Sequence, residues 1–143
     1  LFCDVGIPLL MQRFPNYGRT LKACNDAPER SFTEVEQAHH QTDHALIGGI
    51  MARSWGISQA VCLAIRLHHD YAIFQDPQVP ESVAQLIAMG LVAEVAIQRF
   101  AGMNSSTEWT KGGEAAAGAL MLGDQDIEDW IERLLEGFAL GTA

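Results

Sequence analysis

The chain has 143 residues, 48% hydrophobic and 19% charged, with 13 Gly and 5 Pro, so it holds enough apolar material for a packed core and is not a disordered or low-complexity polypeptide. Its formal charge of −9 comes from 9 Lys and Arg against 18 Asp and Glu, and residues 108–143 hold eight of those acids with two bases. A polyphosphate backbone or an anionic lipid surface needs a positive footprint, so neither nucleic acid nor membrane is expected as a partner.

In chain order the elements read as helices. Residues 1–13 read as the end of a helix that tolerates Pro8 at a break or first turn. Asn16–Ala23 reads as a short helix closed by the turn Asn25-Asp26-Ala27-Pro28. Ser31 and Glu34 have capping-box spacing. Asp43 caps a helix over His44–Trp55, in which Ile47, Ile50, Met51 and Trp55 recur at helical spacing, and Gly56 stops it. Ser58 caps the next helix, which carries Val61, Cys62 and Ile65 and ends in His68-His69. Asp76–Pro80 is a loop and Glu81–Phe100 a long helix. A Gly/Ser loop over 101–107 leads to helices at Glu108–Leu122 and Asp124–Phe138. The last has an acidic outer face of Asp124, Asp126, Glu128, Asp129, Glu132 and Glu136. No period of 20–50 residues repeats, which excludes a solenoid. The expectation is an all-α multi-helix bundle, a single domain over residues 1–143. The longest apolar stretch, Val83–Ile97, is interrupted by Gln85 and Glu94 and reads as too short to span a bilayer.

Cys3, Cys24 and Cys62 are odd in number and lack CxxC spacing, so reduced thiols in a cytoplasmic protein are expected. The start, Leu1-Phe2-Cys3-Asp4, has neither the basic region nor the apolar run of a signal peptide. It opens inside an apolar segment, which reads as the C-terminal part of a longer polypeptide. On that reading faces such as Ile47/Ile50/Met51 or Leu86/Met89/Val92 lack part of their cover. Self-association, or a tightly held N-terminal segment, is expected to supply it.

The residues able to carry chemistry are the polar ones that interrupt apolar helices: Asp4, His44, and His68, His69 and Asp70. A carboxylate on one helix and imidazoles on two others are donor types for a divalent metal, which needs ligands converging from several elements. Gly48, one turn after His44, leaves room beside that imidazole. A plain structural reading stands next to this one. It makes His44 a partly exposed helix-start residue and His68-His69 a C-terminal pair favoured by the helix dipole. Trp55, Trp109 and Trp130 read as core or rim packing.

Four stretches carry a likeness: Leu1-Phe2-Cys3-Asp4-Val5-Gly6, Thr42-Asp43-His44-Ala45-Leu46-Ile47-Gly48, Ser54-Trp55-Gly56-Ile57 and Ala64-Ile65-Arg66-Leu67-His68-His69-Asp70. In order and spacing they resemble the HDOD family, the HD-related output domains of bacterial signal-transduction proteins. That family is related to metal-dependent HD phosphohydrolases and to HD-GYP cyclic-di-GMP phosphodiesterases. The resemblance covers about residues 1–70, and beyond residue 80 it rests on helical character alone. It implies an HD-like bundle and a signalling role.

The departures shape the expected function. Cys3 stands where the resemblance places the His of a His-Asp doublet, and Ile7 stands where the catalytic relatives have a Lys. No Gly-Tyr-Pro follows the His pair, since the chain runs Asp70-Tyr71-Ala72-Ile73-Phe74. Glu94 is the acid in the helix where the enzymes use a late Asp. Asp4, His44, His68 and His69 remain. Cys3 as a thiolate would favour zinc over Mg²⁺ or Mn²⁺, and otherwise it is a small apolar residue. The reading is therefore a non-catalytic output module that binds a protein or a small signalling ligand, with no catalytic residue, metal or cofactor. Any metal would sit on Asp4, His44, His68 and His69. The alternative is a metal-dependent phosphohydrolase or phosphodiesterase that uses these four with an upstream His.

Overall fold

Eight α-helices and one 3-10 turn make up the regular structure of residues 2–141, the part that the computed structural model describes, and no strand occurs among them. The all-α expectation is met. Leu1, the first residue of the stretch quoted above, lies outside the described residues. The sequence reading spans the chain with one domain, whereas the packing groups it into two compact units that divide between Asp70 and Tyr71.

The first unit holds α1 (Gly6–Arg13), α2 (Tyr17–Asn25), α3 (Phe32–His40), α4 (His44–Ser54) and α5 (Gln59–Leu67). Pro8 is the third residue of α1, in the first turn, where backbone N–H groups have no helical partner to lose. The expected caps form. Ser31 Oγ accepts from Glu34 N at 3.2 Å, and Glu34 Oε2 accepts from Ser31 N at 2.7 Å, closing the capping box. Asp43 Oδ1 accepts from Leu46 N at 2.6 Å, and Ser58 Oγ from Val61 N at 3.4 Å. Gln41 closes α3 in the left-handed region, at φ 58°.

Small residues let α4 sit close to its neighbours. Ala45, Gly48 and Ala52 are buried on it. A Cβ on Gly6 would collide with the His44 carbonyl oxygen, so α1 reaches α4 at a point where only glycine fits. The space at Gly48 is taken by Ile65 Cγ2 (3.1 Å from where a Cβ would be) and Val5 Cγ1 (3.3 Å). This corrects the expectation of room beside the imidazole, because helix packing fills that space.

The second unit holds the 3-10 turn Tyr71–Gln75, then α6 (Glu81–Phe100), α7 (Thr107–Leu120) and α8 (Asp124–Leu140). The 3-10 turn has no counterpart in the sequence reading, and α8 runs two residues past the expected Phe138. Val92, Val95 and Ala96 of α6 pack with Ala117 of α7 and Ile127 and Ile131 of α8. The 20-residue α6, which contains the apolar run Val83–Ile97, is by length and composition long and apolar enough to cross a membrane. Its buried face against α7 and α8 is that of a core helix. Val92 is 1% exposed, so of the face Leu86/Met89/Val92 only Leu86 and Met89 are exposed. Tyr71 Oη donates to Glu108 Oε2 at 2.7 Å and Lys111 Nζ donates to Glu108 Oε1 at 2.9 Å, so this nearly buried carboxylate has a partner on each oxygen. Met121 follows α7 at φ 55°.

Candidate functional site

The centre of the first unit is polar. His44, the first residue of α4, is fully buried, which corrects the partly exposed position of the plain reading. Its Nδ1 lies 2.7 Å from Glu36 Oε2, and its backbone N–H donates to the same oxygen at 3.3 Å. The hydroxyl of Tyr17 donates to Glu36 Oε1. Glu36 is itself fully buried, so one carboxylate joins α2, α3 and α4 with every donor drawn from inside the protein. Burial, reinforced by the Glu36 hydrogen bond and charge, pushes the Tyr17 phenol well above its ordinary range.

Because both Glu36 oxygens accept, His44 donates through Nδ1 and turns Nε2 the other way. There it meets His68 Nε2 at 3.3 Å. His68 Nδ1 donates to the Ile65 carbonyl at 2.7 Å, which fixes that ring in the same sense. His69, also buried, lies flat on Phe32 with ring centres 4.9 Å apart. His44, His68 and His69 each offer a donor nitrogen within 4.8 Å of the others. Of the four residues expected at a metal, these three converge. Asp4 stands at the edge, with Oδ1 3.6 Å from His44 Nε2 and its side chain 72% exposed. Cys3 is not in the converging group. Asp43, fully buried, serves as a structural cap: Oδ2 takes Gln37 Nε2 at 2.6 Å, and Arg66 lies 3.7 Å from Oδ1.

Residues 1–71 match the model of the HDOD domain. The first unit belongs to the HDOD family. The match ends one residue beyond the boundary between the two compact units, so the family segment and the first unit coincide. Neither the curated proteins nor the solved structures gave a significant match to the chain.

The relatives of the HDOD domain suggest a metal, and the donors can be tested against one. Two nitrogens bound to a tetrahedral zinc at ~2.0–2.1 Å stand about 3.3–3.4 Å apart. The His44–His68 separation of 3.3 Å fits. Each of these rings has its far nitrogen tied to a carboxylate or a carbonyl, which is how a metal-binding imidazole is usually oriented. His44, His68 and His69 could hold one ion with nitrogen preference, and Asp4 stands at the edge of that set. A pair of bridged ions would need more carboxylates than this set holds.

Glu36 is the residue that the sequence reading missed. A signal for it exists. In α3, Phe32, Val35 and Glu36 fall on one face, so a carboxylate sits among apolar positions and asks for a buried partner.

Proposed function

We propose that the HDOD unit is a non-catalytic output module of a bacterial signal-transduction protein, acting in the cytoplasm by binding a protein or a small signalling ligand, with the remnant of a metal site at its centre. The observation that carries this reading is the make-up of the cluster: three imidazoles and one exposed carboxylate at its edge. A bound metal would supply charge to polarise a phosphoryl group and lower the pKa of its water. The chain's own residues support little beyond holding it. By the family resemblance, Cys3 stands in place of a His and Ile7 in place of the Lys that the catalytic relatives have. The Tyr17–Glu36–His44 clasp fits a framework role, because it ties three helices together and fixes one ring.

A second reading, a single-metal phosphodiesterase, is favoured by the nitrogen spacing alone. The two are separated on the full chain purified without chelator or nickel resin. Metal is measured by plasma mass spectrometry, then hydrolysis of bis(p-nitrophenyl) phosphate and of cyclic di-GMP is followed after loading with Mn²⁺ or Zn²⁺. The expected result is no turnover above that of the free metal. Turnover that disappears in both Asp4→Ala and His44→Gln would establish the enzyme instead.

A further inference from the structure

Ile97, Phe100, Phe138 and Gly141 line a groove of about 310 Å³ in the second unit. Ile97 and Phe100 stand one turn apart on α6, 57% and 58% exposed, and the Phe100 ring meets Phe138 edge-on with centres 5.5 Å apart. Leu140, 76% exposed, follows on α8. Large apolar side chains open to water in this way mark a binding surface when something nearby selects a partner.

Electrostatics makes that selection. Residues 71–143 carry eleven Asp and Glu against three Lys and Arg, which is eight of the chain's nine net negative charges. Glu128, Glu132 and Glu136 recur every four residues and form one stripe along α8. Arg99 neutralises the first, with guanidinium–carboxylate distances of 2.5 and 2.9 Å to Glu128, and holds that carboxyl below its usual range through the same hydrogen bonds. Glu132 also acts on Arg99 through its charge, and Glu136 has no ion pair among the described residues. The groove also lies where α6 and α8 both end, at Phe100 and Leu140, so two helix dipoles point their negative ends at it. A second copy would set like charge against like, and an anionic lipid surface would do the same.

We propose that this groove docks a basic amphipathic helix of a partner protein, its apolar side chains entering between Phe100 and Phe138 and its Lys or Arg residues drawn by the two helix C-termini and the acidic charge of the second unit. This deepens the binding-module reading and rests on it in taking the partner to be a protein. Helix-in-groove recognition of this kind needs only an apolar slot and flanking charge.

The test uses the full chain and a fluorescein-labelled Leu/Lys amphipathic helical peptide. Its controls are the same peptide with Glu for Lys, and with Ala for Leu. Binding is expected for Leu/Lys alone, weakened about tenfold or more by Ile97→Ser or Phe100→Ser. Raising the ionic strength should weaken it, because the attraction comes from the unit's acidic excess and the helix ends. Far-UV circular dichroism and a thermal melt of each variant confirm folding, and Ile97→Ser serves if Phe100→Ser disturbs α6. No binding, or equal binding by both serine variants, would overturn the proposal. So would a dimer in sedimentation that Ile97→Ser dissolves, since the occupant would then be a second copy. Phosphodiester hydrolysis with groove binding intact would remove the non-catalytic reading alone, and failed peptide binding without hydrolysis would remove this inference alone.

Discussion

At the residue scale, the fully buried Glu36 takes hydrogen bonds from the Tyr17 hydroxyl and from two His44 nitrogens. Removing one member of such a buried set strands the others. Glu36→Ala is therefore expected to destabilise the first unit by about 3–5 kcal/mol, read from urea denaturation. A midpoint unchanged from wild type would mean that water replaces the carboxylate. The tyrosines give a cleaner test. The chain has two, Tyr17 and Tyr71, and burial together with Glu36 and Glu108 respectively raises both. A phenol whose folded pKa lies above its unfolded value of about 10 adds stability that is whole below pH 10 and lost as pH climbs beyond it. Absorbance at 295 nm should thus show no tyrosinate near pH 10.5 while the protein is folded, with each phenol ionising when alkali unfolds its own unit. A smooth titration of even one near pH 10 in folded protein would contradict the burial described. The histidines and Asp4 were legible as chemistry-bearing residues because each interrupts an apolar run. Glu36 was harder to see because its partners come from helices up to 19 residues away in sequence.

At the element scale, helix starts were more legible than helix ends. Ser31, Asp43 and Ser58 each cap through a side-chain oxygen whose spacing is local, so three residues of sequence suffice to find it. The ends of α2 and α8 run two residues past expectation, and α8 stops where Gly141 takes the left-handed conformation at φ 66°. The 3-10 turn Tyr71–Gln75 left no periodic signal at five residues, and its position depends on Tyr71 stacking under Gly112, where a Cβ would come within 2.6 Å of the ring. Close approach also decides the α1–α4 contact. Gly6→Ala should cost about 1–3 kcal/mol by forcing the helices apart, and it should move the His44 ring resonances in NMR, since the obstructing atom is the carbonyl of His44 itself. Ser31→Ala, at an exposed cap, is expected to cost about 1 kcal/mol and leave those resonances in place. Equal effects on the ring from both variants would show that it responds to stability and not to helix spacing.

At the scale of the whole molecule, the all-helical architecture follows from apolar spacing and caps, but the division at Asp70 and Tyr71 does not, because no Pro- or Gly-rich linker marks it. Two independent lines meet at that place, the packing and the end of the HDOD match. A fragment of residues 1–71 is therefore expected to fold alone, with helical circular dichroism and a cooperative melt at lower temperature than the full chain, as a domain so small has a modest core. A fragment that is helical but melts without cooperativity would tie the first unit's stability to the second. The division also partitions charge. Residues 1–70 are nearly neutral, with seven acids to six bases, and the remainder holds almost all of the excess. Electrically the polypeptide is thus lopsided, and its adsorption should be too. On an anion-exchange resin or a cationic sensor film, the second half is the anchor. The intact chain and an isolated 71–143 piece should then elute at similar salt, while the HDOD fragment passes through near neutral pH almost unretained.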